Sequence, residues 1–237
     1  MNDGREEILG AIRASLGRGA LDAAAVAPLE ARLASHAANL IPARGRLPAA
    51  ARIDLFVAMA EESEASVARV ARPADVPAAL AGYLAAENLP AELKMAPDPV
   101  LDTIPWSERP LLSIARGVAA PDDQVGVTGA FAAIAETGTL MLVSGPESPT
   151  TLNLLPDTHV VILWAGQVIG DYEEGWRLLR KRNEGTDGGW AMPRTVNYIT
   201  GPSRSADIEQ TLQLGAHGPR RVHIIVIDGE IPEKQGS

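Results

Sequence analysis

Between two apolar runs, 131–135 and 139–144, the chain carries Glu136-Thr137-Gly138-Thr139, a carboxylate and two hydroxyls gathered about a glycine. Glycine supplies the positive φ of a tight turn, so the two runs are predicted to form a hairpin with Glu136 near its tip. Partial burial at such a place raises a carboxyl pKa and suits the group to proton transfer or nucleophilic attack. The competing reading is an ordinary turn with a solvated glutamate. On the first reading Glu136 is a catalytic candidate, and Thr137, Gly138 and Thr139 are ligand contacts.

A second constellation lies in Tyr198-Ile199-Thr200-Gly201-Pro202-Ser203-Arg204-Ser205-Ala206-Asp207. A strand that passes through a small polar turn into a helix presents backbone N–H groups to an anion, and Ser203 and Arg204 add donors. Gly201, Ser203, Arg204 and Asp207 are therefore candidate contacts for a phosphate or carboxylate. Helix capping by Ser203 or Ser205, with Asp207 opposing the helix dipole, explains the same residues without a ligand. His217, in Leu214-Gly215-Ala216-His217-Gly218-Pro219, is a candidate acid–base group or a loop-capping imidazole. If strands 196–200 and 221–227 are parallel neighbours, Ser203 and His217 fall at opposite ends of the sheet; sharing a site requires another topology.

Other chemistries are poorly supported. The histidines, His36, His159, His217 and His223, show no close helical pairing of the zincin kind. There is no Gly-x-Ser-x-Gly elbow, and no cysteine to act as a nucleophile or cluster ligand. A net charge of −9 and 4% aromatic residues argue against nucleic acid as a partner. No stretch is apolar enough to span a bilayer, and the first residues lack the order of a signal peptide, so a cytoplasmic location is expected.

These residues must be positioned by an α/β framework. Helices are predicted over 3–16, 28–40, with Pro28 in the first turn, and 49–62, with Ile53, Phe56 and Met59 inward. Residues 1–62 read as a helical N-terminal extension, 63–231 as the α/β domain and 232–237 as a mobile tail. Within the domain, short β-rich runs (65–70, 93–96, 111–115, 131–135, 139–144, 159–164, 196–200, 221–227) alternate with helices at 74–87, 171–182 and 206–214. The apolar run 159–164 is predicted to be central. The basic residues late in helix 171–182 match the helix dipole and need no partner.

At Ala135-Glu136-Thr137-Gly138-Thr139, His159-Val160-Val161-Ile162, Gly201 to Glu209 and Leu214 to Pro219, the chain resembles the LUD-domain family. Its helical N-terminus and missing cluster cysteines are similar to the lactate-utilisation protein C subgroup. Ser205 stands where the family is expected to carry threonine more often, which keeps the hydroxyl. The resemblance implies a mixed, largely parallel sheet flanked by helices, similar to the ribose-5-phosphate isomerase, glucosamine-phosphate deaminase and CoA-transferase group. It implies a cluster-free subunit or accessory of a system oxidising L-lactate to pyruvate, with iron–sulfur clusters in partner proteins and no cofactor held by this chain alone. Two other functions stay open. Glu136 before a glycine turn resembles the glutamate turn of CoA transferases, which suggests a stand-alone enzyme for a phosphorylated, CoA-linked or nucleotide ligand. The amphipathic N-terminal helices suggest a non-catalytic partner-binding module.

Overall fold

The computed structural model describes residues 3–17, 19–183, 192–205 and 213–232. The chain divides into two compact units, Met1–Leu40 and Ile41–Ser237. The first holds α1 (Asp3–Ser15) and α2 (Ala23–Ser35). Asp22 caps α2 by accepting from the Ala25 N–H at 2.7 Å, and His36 ends the helix in the left-handed region at φ 44°. Pro28 therefore lies inside α2 rather than in its first turn, because the aspartate cap starts the helix upstream.

In the second unit α3 (Ala49–Glu62) packs against the sheet, with Phe56 and Ala60 fully buried. It shares a hydrophobic core with the strands Thr139–Val143, Thr158–Trp164 and Arg221–Ile227. In chain order there follow β1 (Ser66–Val70), α4 (Val76–Ala86), β2 (Glu92–Met95), β3 (Ser113–Arg116), β4 (Val125–Gly129), β5 (Ala132–Ile134), β6 (Thr139–Val143), α5 (Thr151–Leu154) and β7 (Thr158–Trp164). Then come β8 (Val168–Ile169), α6 (Tyr172–Arg182), β9 (Val196–Ile199), β10 (Arg204–Ser205), β11 (Gln213–Leu214) and β12 (Arg221–Ile227).

The main sheet has six strands in the order β1-β12-β7-β4-β2-β3, every pair parallel. Strand β7 is central and buried along its length, as its unbroken apolar run requires. Its Val160 and Ile162 pack with Leu80 and Leu84 of α4, while Val161 and Leu163 pack with Phe56 of α3 and Leu140 of β6. The alternation of β7 side chains thus bonds one helical layer to each face.

Mixed pairing is confined to a second sheet, ordered β8-β5-β6-β9. Strands β5 and β6 form the expected hairpin, with Ile134 opposite Thr139. Strand β9 joins this sheet antiparallel to β6, with Leu140 opposite Ile199, and is not a neighbour of β12. Residues 213–214 pair antiparallel with 204–205, so the helix expected over 206–214 does not include its last two residues. Residues 206–212, Asp207 among them, lie outside the described residues. Among the described residues no helix is long and apolar enough to cross a membrane.

Candidate functional site

The Glu136 turn continues β5 past its end. The N–H groups of Ala135 and Glu136 donate to Ile169 O at 2.9 Å and Gly170 O at 3.2 Å, which fixes the backbone against β8 and the start of α6. The Glu136 side chain is 12% exposed, and its Oε1 lies 3.9 Å from Nη2 of the more exposed Arg44. Gly138 has φ 66°, and a Cβ there would stand 2.3 Å from the Ala60 backbone nitrogen. Glycine is needed at this turn both for its backbone angle and for its contact with α3.

Hydroxyls converge beside it. Thr139 Oγ1, wholly buried, lies 2.7 Å from Thr137 Oγ1, 2.7 Å from Thr200 Oγ1 and 3.1 Å from the Tyr172 hydroxyl. Thr137 Oγ1 is 3.0 Å from the same phenol. Asp171 accepts from the Glu174 N–H at 2.9 Å and so caps α6, which sets Tyr172 at the helix start facing the hairpin. Each hydroxyl both donates and accepts, so the cluster can reorient as one network.

The Thr139–Thr200 bond ties the hairpin to the loop after β9. Gly201, at φ 68°, packs so closely on the end of α3 that a Cβ would fall 1.9 Å from Ser63 O, and the Arg204 Nη2 donates to that same oxygen at 3.2 Å. Ser203 is held by the segment leading into β12. Its N–H donates to Pro219 O at 2.8 Å, its carbonyl accepts from the Gly215 N–H at 2.9 Å, and its Oγ accepts from the His217 N–H at 3.2 Å. The Ser203 N–H is therefore engaged by protein.

Because β9 runs antiparallel to β6, its outgoing loop returns to the end of the main sheet where β12 begins. Ser203 and His217 thus meet, which a simple βαβ unit forbids. The last turn of α3, leading into β1, closes the same side. The structure seats the turn of Glu136, Thr137, Gly138 and Thr139 against Met59 and Ala60 in the last turns of α3, and Gly201 and Arg204 against Ser63 at its end, with Ser203 and His217 joined to each other in the loops that follow β9 and precede β12. Glu136 is held by Arg44 and Gly170, and Ser203 by Pro219, Gly215 and His217; Thr139 and Thr200 link the two groups.

Sequence reasoning missed Arg44, Tyr172 and Thr200 as members of this cluster. It also missed a cavity at the opposite, carboxyl end of the sheet. There the chain leaves β2 toward the edge strand β3 but leaves β4 toward the β5–β6 hairpin and β7. Adjacent strands whose connections diverge leave a crevice, the usual place for a ligand in an open α/β sheet. A cavity of about 320 Å³ occupies it, lined by Asp98 after β2, Gly129 at the end of β4, Phe131 beyond it, and Glu147, Ser148 and Arg182. The signal was faint: β4 reads Val125-Gly126-Val127-Thr128-Gly129, whose glycines weaken a strand pattern.

Two histidines are core residues. His159 is fully buried with Nε2 2.8 Å from Thr128 Oγ1, and burial pushes its pKa down to about 4. His223 stacks on Tyr83 at 3.8 Å between ring centres, with Nδ1 2.8 Å from Ser66 Oγ; burial lowers its pKa to about 4 against the opposing effect of the Ser66 contact. Among the described residues no three His, Asp or Glu side chains gather to hold a metal ion.

Comparison with known proteins places residues 53–227 on the LUD domain family model. An uncharacterized protein of Neisseria meningitidis serogroup B is 41% identical over 105 residues, 43% of this chain and 41% of that one. Lactate utilization protein C of Bacillus subtilis is 35% identical over 105 residues, 44% of this chain and 42% of the relative. Lactate utilization protein C of Bacillus licheniformis is 33% identical over 104 residues, again 44% and 42%. The matches span about two-fifths of the length of these relatives. A crystal structure of a DUF162 family protein from Deinococcus radiodurans shares the fold, with a TM-score of 0.56 at 23% identity over 77% of this chain and 99% of that one.

Proposed function

Since the chain belongs to the LUD-domain family, we propose that it serves lactate utilisation, as a cluster-free subunit or accessory of a system that oxidises L-lactate to pyruvate. The observation that carries this reading is the similarity to proteins named lactate utilization protein C, at 33% to 35% identity. Oxidising a hydroxy acid to a keto acid removes two electrons and two protons. A chain with no cysteine offers none of the thiolates that hold iron–sulfur clusters. The reading therefore assigns the clusters to partner proteins and gives this chain a part in binding or proton handling. Glu136 is the proposed acid–base group, supported by its 12% exposure beside a hydroxyl network. His217 is the second candidate, its backbone fixed on Ser203.

The test is reconstitution. The lactate-oxidising complex is purified from the host with and without this chain, and lactate-dependent reduction of a dye is followed. Loss of reduction without the chain, restored by adding it back, is the expected result. Equal rates in both preparations contradict the role.

A further inference from the structure

We infer that the apolar cavity between the end of α4 and the segment leading into β3 is a binding site for a monocarboxylate with an aliphatic tail of medium length, the tail lying along α4 and the carboxylate pairing with Arg109. This goes beyond the pathway role, which assigns no function to these residues.

The cavity, of about 370 Å³, has the size of a small-ligand site. It follows from how α4 ends. Asn88, in the left-handed region at φ 53°, turns the chain back, and the Leu89 N–H donates to Leu84 O at 2.8 Å, so that Leu89 forms one wall. Leu84 and Leu112, both buried, lie at its base. Ala81 and Ala85 stand one helical turn apart on the face of α4 that lines it, and their small side chains leave the space open. The walls are hydrocarbon, so an aliphatic tail that enters leaves water for apolar surface, and that transfer supplies most of the affinity.

The mouth carries the charge. The Arg109 N–H donates to Trp106 O at 3.1 Å and the Leu112 N–H to Arg109 O at 2.9 Å, which fixes the Arg109 backbone at the cavity rim. Among the described residues its guanidinium has no ion pair and no hydrogen bond. The adjacent Glu108 lies in the field of Arg72, whose protonated form is favoured first by its bond to Asp75 and then by the charges of Asp75 and Glu108. The unmatched group at the rim is therefore a cation, and a guanidinium pairs with a carboxylate through two parallel N–H donors. Leu111, 87% exposed, stands at the same rim, where a tail in the cavity covers it. An amine with the same tail meets repulsion from Arg109, and a short acid leaves the hydrocarbon walls bare.

The test is titration calorimetry on the full chain, below micelle-forming concentrations, with octanoate, with octylamine, which reverses the charge, and with acetate, which lacks the tail. Octanoate binds saturably, and the other two bind at least about tenfold more weakly. Arg109→Gln weakens octanoate by about tenfold, and Ala81→Leu, which fills the cavity from α4 with a good helix former, abolishes its binding. Melting temperatures no lower than that of the parent chain show that both variants fold. Absence of octanoate binding, equal binding of octylamine, or octanoate binding unchanged in either variant overturns the assignment. A dimer seen by sedimentation and dissociated by Ala81→Leu also overturns it, because the cavity then holds a second copy of the chain.

Discussion

The Ser203 hydroxyl accepts the backbone N–H of His217 at 3.2 Å, joining the loop after β9 to the segment that enters β12. That bond depends on β9 running antiparallel to β6 in the second sheet, and it marks where the polar residues of the amino end assemble. Gly138 and Gly201 seat the two flanking loops on the end of α3.

Close seating of the hairpin on α3 sets the first expectation. Gly138→Ala must place a Cβ 2.3 Å from the Ala60 nitrogen at φ 66°, so backbone strain and overpacking combine to destabilise by roughly 2–5 kcal/mol. Gly82→Ala, within α4 with open space around it, is expected to stabilise by about 0.5–1 kcal/mol. Urea denaturation of both variants decides the matter; similar midpoints would remove the argument for contact with α3.

Buried neutral histidines make stability fall in acid. His159 and His223 titrate near 4 in the fold against about 6.5 unfolded, so between these values the unfolded chain binds more protons. Their contribution is complete above pH 6.5 and declines as pH falls toward 4, by at most roughly 3 kcal/mol for fully buried His159. Unfolding free energy measured from pH 7 to pH 4 should drop, and the slope should be shallower in His159→Gln. A flat profile for the parent chain contradicts the burial of these rings.

The hydroxyl cluster is expected to act as a unit. Thr139→Val keeps the shape but removes the contacts of the buried hydroxyl to Thr137, Tyr172 and Thr200 while leaving Thr137 and Tyr172 bonded to each other, costing about 1–3 kcal/mol. In a double-mutant cycle with Tyr172→Phe the two losses should not add. Strict additivity would mean that the observed bonds contribute nothing together.

Much of the framework was legible locally. The bounds of α3 follow from helical spacing around Phe56, the β5–β6 hairpin from Gly138, and the central place of β7 from its apolar run. What escaped was set by distant partners. Val125 to Gly129 is a buried strand because Leu152 and Pro156 pack on Gly126, whose missing side chain gave a weak strand signal. The pairing of β9 with β6 is a long-range choice that its own residues do not encode. For the same reason Glu136 was visible as a turn carboxylate, while its partner Arg44 and the cavity at Arg182 were not.

The most direct measurement is growth of a strain lacking this gene on L-lactate as sole carbon source, complemented with the parent chain or with Glu136→Ala, the melting temperature of the variant being checked in parallel. The account expects no growth without the gene, rescue by the parent chain, and no rescue by a folded Glu136→Ala protein. Normal growth of the deletion strain on L-lactate would contradict it.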